Sequence, residues 1–257
     1  EFNEKELLEF VDGDLEHSDE KYTRGIFAPW AMYKDDFLAI GGHDPLYAPQ
    51  SKEDSDIFNR FHLLGLEFIQ TWKGLVYHMT SRGSRFNPSS GGAPGKDSPE
   101  WIHTTTKNMR NFIRKWGTMV QHDQYMKPVV SPKYDIGFVA YNCTVNLLKE
   151  LEPFCDKIYL DLQDSGCMSE YIREEQPNTT YNFGERIKLY GNSKVSELHD
   201  ICVEFDCRDL TQENFQVITN LANILKDSGD IGEFELEVFK FYISSLDSYE
   251  KDLILVK

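Results

Sequence analysis

The chain has 257 residues, 40% of them apolar and 13% aromatic, a composition that builds cores and excludes a disordered polypeptide. Its net charge of −16 argues against a nucleic-acid partner, because a phosphate backbone needs a basic face. No apolar run approaches the ~18 residues of a membrane span, and nothing at the N-terminus reads as a signal peptide.

In chain order, residues 4–11 (EKELLEFV) have the period of a short amphipathic helix and lead into an acidic loop through Glu20. Gly25–Met32 (GIFAPWAM) reads as a buried strand, and Tyr33–Ile40 as a helical turn ended by Gly41-Gly42. After a loop with Pro45 and Pro49, the stretch KEDSDIFNRFHLLG announces a helix. Ser51 is its expected N-cap, with Asp54 three places on in a variant of the capping box. Ile57, Phe58, Phe61 and Leu64 follow at helical spacing, and Gly65 suits the C′ position. Phe68–His78 (FIQTWKGLVYH) reads as a strand bent at Gly74. Residues 81–99 form a Gly/Ser/Pro-rich loop too long for a mere connector. A helix over 104–117 puts Met109, Phe112, Ile113 and Trp116 on one face and Lys107, Arg110 and Arg114 on another.

Pro128 and Pro132 interrupt regular structure near Tyr125–Lys133, and the composition changes there. Residues 1–130 hold 15 basic and 19 acidic side chains and all four tryptophans; residues 131–257 hold 12 and 24, and all five cysteines. Two units are therefore expected. An odd cysteine count without a C-x-x-C pair argues against a zinc site and fits reduced thiols in a cytoplasmic compartment. The second unit opens β-α-β, with strand 135–141, helix 144–152 and strand 157–162. A strand at 200–205, a helix at 211–226 with Thr211 near its cap, and an alternating strand through Phe234, Leu236 and Val238 follow. It lacks a G-x-G-x-x-G or a P-loop.

Glu53, Asp54 and Asp56 crowd the first turn of the 53–64 helix. The macrodipole favours acids there by about 0.3–1 kcal/mol each, so capping alone accounts for them. Two neighbours suggest more: FLAIGGHDPLY upstream, which carries Asp44, and His78, which ends a strand just before the 81–99 loop. Glycines, acids and a histidine gathered around one helix N-terminus describe a cleft.

Residues 23–90 resemble the acceptor side of GT-A glycosyltransferases, especially the β-1,4-galactosyltransferase type. The resemblance rests on Phe37-Leu38, Gly41-Gly42, the run Glu53-Asp54-Ser55-Asp56-Ile57-Phe58-Asn59-Arg60, the closing Gly65, and Val76-Tyr77-His78 before a loop. It implies an inverting transfer of a sugar from a nucleotide-sugar donor to a carbohydrate acceptor. By the same resemblance Asp54 is the general base and Glu53 holds the acceptor. Asp44 and Asp56 are further candidates for sugar contact, Asp56 alternatively orienting the helix start. His78 matches a ligand of Mn²⁺ or Mg²⁺, and Arg82 and Arg85 lie in the loop that closes over the donor. Trp30, Tyr47 and Trp72 are candidates to stack on a sugar, with core packing the alternative for Trp30.

The expected fold class is α/β. Residues 1–130 form a partial GT-A-like (nucleotide-diphospho-sugar transferase) acceptor-side region, and residues 131–257 a small acidic α/β module. Only about 22 residues precede the matching region, where the family places its donor half. Asp12-Gly13-Asp14 spells D-x-D, yet the EKELLEF before it is helical in period and an acidic loop explains it as well. The chain is thus expected to be a piece of a longer transferase, or to be completed by its second unit or by another copy in a homo-oligomer. A non-catalytic carbohydrate-binding or scaffolding module, and a hydrolase using the same carboxylates, are the alternative functions.

Overall fold

The computed structural model describes residues 2–15, 24, 29–71, 74, 76–77, 84–191 and 194–256. The N-terminal part is helical: α1 (Glu4–Phe10), α2 (Lys34–Ala39), α3 (Glu53–Leu64) and α4 (Pro99–Trp116). The rest alternates strand and helix: β1 (Ile136–Tyr141), α5 (Val145–Leu151), β2 (Lys157–Leu160), α6 (Ser165–Glu175), α7 (Phe183–Arg186), β3 (Ile187–Leu189), β4 (Ile201–Asp206), α8 (Phe215–Thr219), α9 (Leu221–Ser228), β5 (Gly232–Leu236) and β6 (Phe239–Ile243). No helix among the described residues is long and apolar enough to cross a membrane.

The protein is α/β, built on one mixed six-stranded sheet of order β3-β2-β1-β4-β6-β5. β1 pairs in parallel with β2 and β4, and β2 with β3. β6 runs antiparallel to β4 and closes a hairpin with β5. Alternate residues of the central strands (Phe138, Ile158, Val203 and Phe241 among them) point into the main core, where Leu148, Tyr171, Leu221 and Leu225 of the helices meet them. Val139, Cys202 and half-buried Tyr141, Tyr159 and Tyr242 line the opposite face.

α4 joins the two parts of the chain. Met109 and Ile113 enter the main core, while Phe112 and Trp116 pack with Leu46 and Tyr47 in a second cluster. Its basic face is turned inward at Arg114 and Arg110, the first buried and the second half-buried against acids. Arg114, 1% exposed, donates from Nε to Glu152 (2.9 Å) and from Nη2 to Glu175 (3.0 Å). Arg110 holds both Glu175 oxygens at 2.7 Å, and Arg186 reaches the other oxygen of Glu152 at 2.5 Å. Every carboxylate in this group is matched by guanidinium donors, which is what makes such burial tolerable.

Several expectations need correction. The strand at Phe68–His78 is absent wherever those residues are described; 66–71 are irregular. Phe68 instead packs edge-on against Phe58 of α3 (5.2 Å), and among the described residues no strand lies beside the segment to complete a ladder. Of Gly25–Met32, residues 25–28 lie outside the described residues and 29–32 form no strand. α4 starts five residues before the expected 104, because Ser98 caps it (Trp101 N–H to Oγ, 3.1 Å) and Pro99 needs no partner at its first position. The helix expected at 211–226 begins at Phe215 and breaks at Asn220, whose side chain takes the Gln216 carbonyl (3.0 Å). Thr211 and Asn214 bond reciprocally before it.

Candidate functional site

Around the start of α3 the chain opens a cleft of about 390 Å³. α3 is a 12-residue helix closed by Gly65 in the left-handed conformation (φ 87°). Its start departs from the expected cap. Ser51 (φ 80°) and Lys52 (φ 74°) are both left-handed, and Lys52, not Ser51, occupies the N-cap position without a side-chain bond to the helix. Two consecutive non-glycine residues there are costly and occur where surroundings force them. α4 supplies the force. Asn108 Nδ2 donates to the carbonyls of Tyr47 and Gln50 (both 2.7 Å), and Lys107 Nζ to that of Ala48 (3.0 Å), pinning the loop that delivers residues 51–54.

Lys52, Glu53, Asp54 and Phe58 form one wall of the cleft. Trp101 from the first turn of α4 and Gln121, His122 and Met126 form the facing one. Asp123 builds that second wall by accepting from the backbone of Tyr125 (2.8 Å) and Lys127 (3.0 Å), and Met126 is again left-handed (φ 63°). Three of the five left-handed non-glycine residues found in the described chain therefore border one hollow.

The two leading acids both line this cleft. Partial burial raises the Asp54 carboxyl above its ordinary range, against a smaller opposing pull from His43. Glu53 also lines the cleft; its Oε2 is buried without a hydrogen-bond partner, a state that costs roughly 1–3 kcal/mol. Asp54 can take a proton, Glu53 can hold a hydroxyl, and Trp101 and Phe58 present apolar surface to a ring.

The other candidates lie elsewhere. Asp56 is 0% exposed and serves the core: it accepts from Arg60 Nε (2.8 Å), Trp116 Nε1 (3.0 Å) and Tyr47 Oη (3.3 Å), and pairs with Lys115 (2.7 Å). Its oxygens are used up, so the expected sugar contact is corrected to a structural role. Tyr47 is corrected likewise; at 1% exposure it packs on Phe112, and burial beside Asp56 raises its hydroxyl pKa. Asp44 caps the short turn Pro45–Tyr47 through Leu46 N–H (2.9 Å) and binds Lys115 (2.8 Å), so it too is structural. Trp30 stands behind the wall, edge-on to Phe58 at 5.4 Å. Arg85 is exposed and clasps Asp97 (2.6 Å) within its own loop. His78, Arg82 and Trp72 lie outside the described residues. Among the described residues no group of three or more His, Cys, Asp or Glu is arranged to hold a metal ion.

Sequence reasoning missed Lys52, Trp101 and His122 as cleft residues. Trp101 had a local signal: Ser98-Pro99-Glu100 is a helix start, which aims the next residues at whatever lies before the helix. Comparison with known protein families, curated proteins and solved structures gives no match.

Proposed function

We propose that the cleft at the start of α3 is the acceptor site of an inverting, nucleotide-sugar-dependent glycosyltransferase of the GT-A type. One observation carries this reading: the carboxyl group of Asp54, with its pKa raised by partial burial, shares a sugar-sized hollow with Glu53 and with Trp101. Glu53 accepts a hydrogen bond from one hydroxyl of the acceptor. Asp54 takes the proton of the attacking hydroxyl as its oxygen bonds to the anomeric carbon, and the bond from that carbon to the diphosphate breaks with inversion. The raised pKa suits the role, since a stronger base removes the proton more readily.

Mn²⁺ or Mg²⁺, with His78 among its ligands, belongs to the proposal through the sequence resemblance, and it would neutralise the leaving diphosphate. The described residues offer no donor set for it, so no step above passes through it. Five free cysteines suit a reducing, cytoplasmic setting.

The test is transfer from radiolabelled nucleotide sugars to a panel of glycosides, with and without divalent cation. Asp54→Asn should cut transfer by about 10²–10⁴-fold while leaving acceptor binding intact. Undiminished transfer in that variant would remove Asp54 as the base. Acceptor binding without transfer under any condition would identify a binding module, and no binding of any sugar would end the carbohydrate reading altogether.

A further inference from the structure

Lys52 sits where a lysine has no structural reason to be. Its backbone is left-handed, a region that favours glycine or asparagine, and its side chain gives the helix no cap. That backbone turns it onto the cleft wall beside Glu53 and Asp54. It is half-buried rather than extended into water, and among the described residues its ammonium has neither a hydrogen bond nor an ion pair. Glu53 is near enough to act on it electrostatically but does not bond it, and Glu53 keeps its own buried oxygen unpartnered. Burial lowers the Lys52 pKa and the neighbouring charge of Glu53 offsets only part of that, as for a cation short of solvent.

Two opposite charges thus border one hollow without neutralising each other. A neutral sugar could satisfy the acids through its hydroxyls but would leave the ammonium desolvated and unmatched. A ligand with hydroxyls at one end and an anion at the other would match both.

We propose that Lys52 recognises an anionic substituent, a carboxylate or a phosphate ester, on the acceptor sugar, and that the cleft therefore selects acidic sugars over neutral ones. This rests on the acceptor reading of the cleft given above. Lys52 is a specificity determinant here, because its charge meets a substituent and not the reacting hydroxyl.

The experiment is a ligand-observed NMR titration of the whole chain with methyl glucoside, methyl glucuronide and glucose 6-phosphate. At low salt at least one anionic ligand should bind about tenfold or more tightly than the neutral one, as a charge-assisted contact gives. The advantage should shrink in high salt. Lys52→Gln should abolish it, leaving the three ligands of similar affinity, and Lys52→Arg should keep it. A gain confined to the glucuronide assigns the carboxylate, and one confined to the phosphate assigns the ester. Equal affinity for all three, or a preference that survives in Lys52→Gln, overturns the proposal while leaving the acceptor site standing. An increase in donor KM in Lys52→Gln with acceptor KM unchanged overturns it too, by moving the anion to the donor. Binding of none of the three, with no transfer to any glycoside, would instead fell the parent reading along with this one.

Discussion

Trp116 donates its indole N–H to Asp56 across 3.0 Å, joining the last turn of α4 to the first turn of α3 inside the protein. Lys115, next to it, pairs with Asp56 at 2.7 Å and with Asp44 at 2.8 Å. A cluster of acids that reads in the sequence as one functional group is thereby divided. Asp56 faces inward and holds α4, while Glu53 and Asp54 face the cleft.

The division predicts very unequal stability effects two residues apart. Asp56→Ala leaves Arg60 buried without its anion and Lys115 with Asp44 alone, and should cost about 3–5 kcal/mol, read as a lower urea midpoint. Asp54→Ala removes no hydrogen bond of the core and should stay within about 0.5 kcal/mol of the parent protein. Equal losses at both positions would mean that the cluster acts as a single cap.

Asp54 also sets an expectation for pH. Its folded pKa lies above the model-peptide value of 3.8, so the native state binds the proton more tightly than the unfolded chain does. Its contribution to stability therefore falls as pH rises from 3.8 through the folded value, and Asp54→Asn should be neutral or stabilising at pH 7. As a base it must be ionised, so the acid limb of kcat/KM should be centred above the usual carboxylate range. His43, which pulls the other way when protonated, tunes it: His43→Ala should move that limb further up. A limb at or below 3.8 would assign the base to another group.

Much of this was legible in the chain. α3 and its glycine stop follow from apolar spacing and local caps, as do β1, α5 and β2, because those signals act within a few residues. What was not legible depends on distant partners. Nothing local tells that Arg114 will be buried against Glu152, 38 positions away, or that Asn108 will hold the carbonyls of a loop 58 and 61 positions back. Without that hold, Ser51 is the reasonable cap; with it, the chain is forced left-handed and Lys52 takes the position. FIQTWKGLVYH has the residues of a strand, but a strand also needs an edge to pair with, and the sequence does not show whether one is there.

Trp101 should report on the cleft. It lines the facing wall, whereas Trp116 is 2% exposed and bonded to Asp56. Sugars that bind should therefore change the intrinsic fluorescence through Trp101, and Trp101→Phe should abolish the change while retaining most of the affinity. Trp101→Ala should weaken binding by about tenfold through lost apolar contact, near 1.4 kcal/mol. An unaltered fluorescence response in Trp101→Phe would place the ligand away from this wall.

Acid should separate α4 from the sheet before it harms the rest. Burial alone would push the Glu152 carboxyl up, but Arg186 and Arg114 outweigh it and hold the pKa below the ordinary value of 4.5. Glu175, gripped by Arg110 and Arg114, is lowered in the same way against its own burial. A depressed folded pKa contributes stability that is present above the unfolded value of 4.5 and lost as pH falls through the folded one. Protonating either acid leaves Arg114 buried without a full counter-charge, so urea midpoints should be flat near neutrality and fall steadily below about pH 4.5. Glu152→Ala should destabilise by about 3–5 kcal/mol at pH 7 and make that acid limb shallower, because one of its two titrating groups is gone. Since Trp101 and the loop-pinning Asn108 ride on α4, sugar binding should fail over the same pH interval in which the ion pairs are lost. Binding that persists after those pairs have titrated would show that the cleft does not depend on α4.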